Sequence, residues 1–185
     1  MKFRTRSILV ATALCAVAGA MGACAAGGAP AEPTFATSGR LADAMAGART
    51  VALAPGSGVD RDQRIDASVV EDTLRQAILD ALVMRGYTVA PPSRAQRLVG
   101  YVAIVDYGVE DAELFARLGV SPGVGAGEDV ERGTIALFVL RPGARAPLWR
   151  AAGQGVLDPN AAPARRAERI ASAVETLLAD LPPAP

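Results

Sequence analysis

The side chains able to make or break bonds are few. The chain holds two cysteines, Cys15 and Cys24, and no histidine. Without histidine, a Ser-His-Asp or Cys-His catalytic system is excluded, as is a His-ligated zinc site. Carboxylates remain, and the best placed is Asp106, at the end of an apolar run, with Glu110 and Asp111 shortly after it. Acid–base work needs a second group positioned to act with the first. No spacing supplies one, and a charge at a strand terminus is ordinarily a solvated end. The sequence therefore predicts a non-enzymatic protein, with no catalytic residue, metal or cofactor. Val99, Tyr101, Asp106, Tyr107 and Trp149 are the residues that offer a surface for a ligand or partner. Phe138 joins the aromatic members of that set if a cavity lies between sheet and helices. Side chains this large are more often plain core.

Cys24 has a different use. Lys2, Arg4 and Arg6 form a basic start, an apolar run follows from Ile8 to Ala20, and the small residues Gly22 and Ala23 come directly before Cys24. That order describes a secretory signal. The run is too short and too rich in Ala and Gly to be a good membrane span of ~20 residues. Ala20-Met21-Gly22-Ala23-Cys24 resembles a bacterial lipobox, although Leu is usual where Met21 stands. The resemblance implies that Cys24 is acylated and becomes the first mature residue. Cys15 does not fit, because Leu14 is too bulky for the position before the cut. With three acyl chains, at ~0.8 kcal/mol per buried CH₂, the anchor is effectively permanent, where one chain alone is marginal. Neither Ala25 nor Ala26 is Asp, which by resemblance to enterobacterial sorting favours the outer membrane. The expected location is the periplasmic face of a bacterial membrane.

Removing Lys2, Arg4 and Arg6 with the signal leaves 16 arginines against 19 acidic residues. The basic residues are scattered, so no nucleic-acid footprint is present. Cys15 leaves with the signal and Cys24 carries lipid, so no thiol remains for a disulfide. The chain divides into a signal peptide over 1–23, a lipidated Cys with a flexible spacer over 24–46, and one domain over 47–183. The spacer is predicted from Gly27-Gly28, Pro30 and Pro33 and from the scarcity of large apolar residues, with at most a short helical turn over Leu41 to Met45. About 160 mature residues suffice for one domain with its own core.

Two helices and five strands must position the candidate residues. Val70, Leu74, Ala77, Ile78, Ala81 and Leu82 recur at helical spacing within Asp66 to Arg85, and Gly86 stands where a helix ends. Ala164 to Leu181 repeats the pattern and stops at Pro182-Pro183. Strands are predicted over Arg49 to Ala54, Tyr87 to Ala90, Leu98 to Tyr107, Arg132 to Arg141 and Leu148 to Gly155, the last two as a hairpin. The Leu98 strand is apolar on both faces, as a central strand is, or one with a face left for a ligand. Glu110 to Leu118 reads as a short acidic helix. Gly119 to Gly127 is a loop and a candidate contact surface. Its Gly-x-Gly spacing lacks the strand and helix that a dinucleotide motif needs.

Gly133-Thr134-Ile135, Leu148-Trp149-Arg150 and the closing Leu181-Pro182-Pro183, with Arg85-Gly86-Tyr87 and Leu98-Val99-x-Tyr101 before them, resemble small bacterial envelope lipoproteins that carry a domain of unknown function. The likeness spans roughly Arg49 to Pro183 and brings no reaction with it. The fold expected from both routes is α+β: a two-layer sandwich with a mainly antiparallel sheet and two long helices on one face. The expected role is a membrane-anchored binding or assembly accessory with an envelope protein partner. The alternative is a lipid or small-ligand carrier, such as an auxiliary lipoprotein of a transport system.

Overall fold

The computed structural model describes residues 32–59, 67–106, 111–123, 132–158 and 160–185. The readings placed on the signal, on Cys24, and on Asp66, Tyr107, Glu110, Gly125 and Gly127 lie outside the described residues. In chain order the elements are β1 (Thr34–Ser38), α1 (Leu41–Met45), β2 (Thr50–Leu53), β3 (Gly58–Val59), α2 (Ala67–Met84), β4 (Thr88–Val89), β5 (Arg97–Asp106), α3 (Asp111–Leu118), β6 (Arg132–Leu140), β7 (Trp149–Val156) and α4 (Pro163–Leu177).

The architecture is α+β with a mixed seven-stranded sheet. Strand order is β1-β7-β6-β5-β2-β4, with β3 paired to β5 off that path. The β1–β7, β7–β6 and β6–β5 ladders are antiparallel, and β2 lies parallel to both β5 and β4, as β3 does to β5. The parallel half follows from α2, because β2 and β4 flank that helix and parallel neighbours need a crossover connection between them.

Residues alternate across the sheet. Val99, Tyr101 and Ala103 of β5, Leu137 and Val139 of β6, and Trp149 and Ala151 of β7 share one face and one core cluster. From α2, Leu74, Ile78 and Leu82 enter that cluster without measurable exposure, and Val70, Ala77 and Ala81 pack at its margin. From α4 come Ile170, Val174 and Leu177, followed by Leu178 and Leu181. The helical stripes read from sequence are thus the buried faces. Fully burying one such aliphatic side chain contributes about 1.5–3 kcal/mol.

α2 closes as its sequence demands. The Tyr87 amide donates to the Leu82 carbonyl at 3.1 Å and the Gly86 amide to Val83 at 2.9 Å. Gly86 has φ +87°, the left-handed conformation that glycine adopts without a Cβ penalty.

The opposite face carries Ala136 and Ala152, covered by Val120 and Leu118 at the end of α3. Gly119 to Gly123, read as the start of a free loop, therefore packs in part on the sheet, with Val120 5% exposed. Phe138 also lies on this side, its ring spread over Gly100. A Cβ on Gly100 would come within 2.1 Å of the ring, so the glycine is required for the close approach.

The spacer expected over 24–46 is shorter than read. Thr34 to Ser38 pair with Gln154 to Arg150 of β7 as an edge strand. α1 then places Leu41, Ala44 and Met45 in the main core, each 3% exposed or less. Composition concealed this because the segment's few large apolar residues are all used, and its strand exists only by pairing with the last strand of the chain. Residues 34–45, read as spacer, are therefore part of the fold.

Candidate functional site

The structure distributes the five residues read as a ligand or partner surface. Val99, Tyr101 and Trp149 are 1%, 0% and 3% exposed, beneath the helices. The Tyr101 hydroxyl approaches Glu71 Oε1 of α2 at 3.5 Å. Burial disfavours the phenolate and raises the Tyr101 pKa above its ordinary value, as it does for Tyr87. Asp106 closes β5 opposite Arg132 in the ladder, and Tyr107 lies outside the described residues. Phe138 faces the other side of the sheet. Val99, Tyr101 and Trp149 help to fill the core.

A cleft of about 580 Å³ opens elsewhere, between α4 and the end of the sheet formed by β1, β7, β6 and β5, with β3 beside β5. That volume falls within the roughly 300–1,000 Å³ of small-molecule sites. Its floor is Ala103, Gly133, Ile135, Gly153 and Gly155. The ladder sets Gly133 opposite Gly155 and Ile135 opposite Gly153, and Phe35 of β1 lies opposite Gly153 on its other side.

Two of these glycines have packing reasons. A Cβ on Gly153 would come within 2.7 Å of the Phe35 ring, and one on Gly133 within 3.0 Å of Leu157 Cδ2. Gly155 has none. A Cβ there would meet only Arg169 Nη2 at 3.9 Å and the Pro33 Cβ at 4.0 Å, ordinary contact distances. It leaves open space that a side chain would occupy.

The walls are Phe35, Val59, Val70 and Ile170, with Ala173 and Thr176 of α4. Phe35 is 39% exposed and lines the cleft. Charge gathers at one margin, where Asp158, Arg166 and Arg169 also line the opening. The Arg169 guanidinium donates to the Val156 carbonyl, and Arg166 Nη2 approaches the Ala161 carbonyl at 3.5 Å. The Asp158 carboxylate accepts the Asn160 amide at 2.9 Å, folding back on its own turn. The arrangement suits binding of an apolar body with a polar end.

The sequence carried a signal for this cleft. Gly-x-Gly at 153 and 155 interrupts a strand and faces Gly133 across the hairpin, and glycine within a strand marks a bend or a close approach by a ligand or backbone.

Two solved structures are similar in fold. The PelC dodecamer from Paraburkholderia phytofirmans matches at 12% identity and a TM-score of 0.49, covering 83% of this chain and 99% of that one. A PDZ domain protein from Parabacteroides distasonis matches at 12% identity and a TM-score of 0.49, covering 80% of this chain and 36% of that one. Likeness at that level carries no argument about function. No curated protein matches the chain significantly. The sequence profile of one family spans residues 42–183, most of the described domain, and the chain belongs to that family: Domain of unknown function (DUF4136).

Proposed function

We propose that this chain is a membrane-anchored lipoprotein of the bacterial cell envelope, held through acylated Cys24 at the periplasmic face of the outer membrane, and that it acts as a non-enzymatic binding or assembly accessory. The observation that carries the binding role is the largely apolar cleft of about 580 Å³ between α4 and the sheet. In this reading the domain is a two-layer sandwich, antiparallel along its longest ladders, with the two long helices α2 and α4 over one face. The same cleft favours a second reading within the first, carriage of a lipid or small apolar ligand, since its lining is mostly apolar and its charged residues are few: Asp158, Arg166 and Arg169.

The test is chemical crosslinking in intact cells, followed by isolation of the lipoprotein under denaturing conditions. The expected result is the protein recovered joined to another envelope component, protein or lipid. Recovery of the bare lipoprotein alone, while a known envelope complex is captured in the same cells, overturns the binding role.

A further inference from the structure

We infer that the cleft takes a single long-chain acyl group with an acidic head, of the fatty-acid type, with the hydrocarbon over the glycine floor and the carboxylate at Arg169. The inference rests on the binding reading above and names the class of ligand for it.

Three observations lead to it. The first is the lining. The floor takes two rows of the ladder, Gly133 with Gly155 and Ala103 with Ile135 and Gly153, and none of these side chains carries a polar atom. A ligand that needed several fixed hydrogen bonds would find few partners there, whereas a hydrocarbon chain needs none. The second is the setting of Gly155, where a Cβ would make only ordinary contacts, with Arg169 Nη2 at 3.9 Å and the Pro33 Cβ at 4.0 Å, so the guanidinium stands beside the floor of the cleft. The Phe35 ring, more than a third exposed, gains cover when a chain lies against it.

The third is charge. Two guanidiniums and one carboxylate line the opening, and that carboxylate is engaged by the Asn160 amide. Arg169 donates to a backbone carbonyl and, among the described residues, meets no carboxylate. A guanidinium has five N–H donors, so most of its capacity remains for an incoming anion. Arg166 stands one helical turn before it, and its charge adds to the same margin. A neutral diglyceride or an alcohol would leave the remaining donors of Arg169 without an anion.

The experiment uses the full-length lipoprotein in phosphatidylcholine nanodiscs and a diazirine-bearing palmitic acid as the probe, with the matching diazirine-bearing hexadecanol beside it. After photolysis, the expected adducts map to Pro33–Phe35, Gly153–Leu157 and the Arg169–Thr176 stretch of α4. The acid is expected to label about tenfold more than the alcohol, and Arg169→Gln to remove that preference. Gly155→Val adds a side chain where a Cβ finds ordinary contacts, and it is expected to cut labelling about tenfold. Ala173→Phe blocks the cleft from the helix side and serves as the second variant should Gly155→Val fail to fold, as judged by its melting curve. Equal labelling by acid and alcohol, adducts elsewhere in the chain, or labelling unchanged in a folded blocking variant overturns the inference. A protein adduct in intact cells alongside any of those results would leave the binding role standing and remove only the acyl ligand.

Discussion

Replacing Cys24 by Ser is expected to abolish incorporation of radiolabelled fatty acid into the protein. The reasoning starts from the residues around the sulfur. Gly22 and Ala23 are small enough for the cleavage zone, the apolar stretch from Ile8 is short for a membrane span, and no other cysteine has comparable flanks. A single myristoyl-length chain binds membranes with only about 10⁴ M⁻¹, whereas two or three chains give lasting attachment. On the proposed reading Cys24 is the acyl acceptor, and no described helix is long and apolar enough to cross a membrane. The expected observation is a strongly labelled wild-type band and an unlabelled Cys24→Ser band. Label retained by the variant, or a mature wild-type chain recovered unlabelled in the soluble fraction, contradicts the anchor.

Trp149→Ala is expected to lower stability by about 3–5 kcal/mol, the usual cost of emptying a buried aromatic site. Trp149 is 3% exposed and lies opposite Val139 at the start of β7, within the cluster that α1, α2 and α4 share. Against a total stability of about 5–15 kcal/mol for a typical domain, that loss is severe. It corresponds to a fall in melting temperature of about 10 °C or more for a domain of this size. Trp149 is the chain's one tryptophan, so its fluorescence reports the site directly. Blue-shifted emission is expected in the native protein, shifting red on unfolding. A variant that melts like wild type would mean that the indole is not core and would return Trp149 to the list of ligand-facing residues.

That distinction shows where sequence reasoning succeeded. The stripes Leu74, Ile78, Leu82 and Ile170, Val174, Leu177 were legible because one face of each helix must be buried and a period of 3.6 residues records it. β5, β6 and β7 were legible because alternation and turn residues mark strands of that length. β3, two residues long, is too short to carry a period. β1 is an edge strand whose partner comes near the end of the chain, and α1 is a single turn of helix. The parallel pairing of β2 with β4 and β5 is set by a crossover through α2, which composition does not reveal.

The site was harder to read for a related reason. A search for binding residues looks for large or charged side chains, and Val99, Tyr101 and Trp149 satisfied it because they are large. Size in this domain goes to filling the core. The cleft is lined by Gly133, Gly153 and Gly155, which offer such a search nothing, and only strand register brings those positions together. Asp106 closes β5 with no second group set beside it by sequence spacing, so a carboxylate mechanism gains no support from its place in the ladder.

The most direct test of the account is site-specific photocrosslinking in living cells, with a photoreactive amino acid placed at Ser172, on the α4 wall of the cleft, or at Arg145, in the turn at the far end of the β6–β7 hairpin. The account predicts a discrete adduct from Ser172 and none from Arg145. Equal adducts from both positions, or none from Ser172 in a folded protein, would contradict the claim that the cleft is where this domain binds.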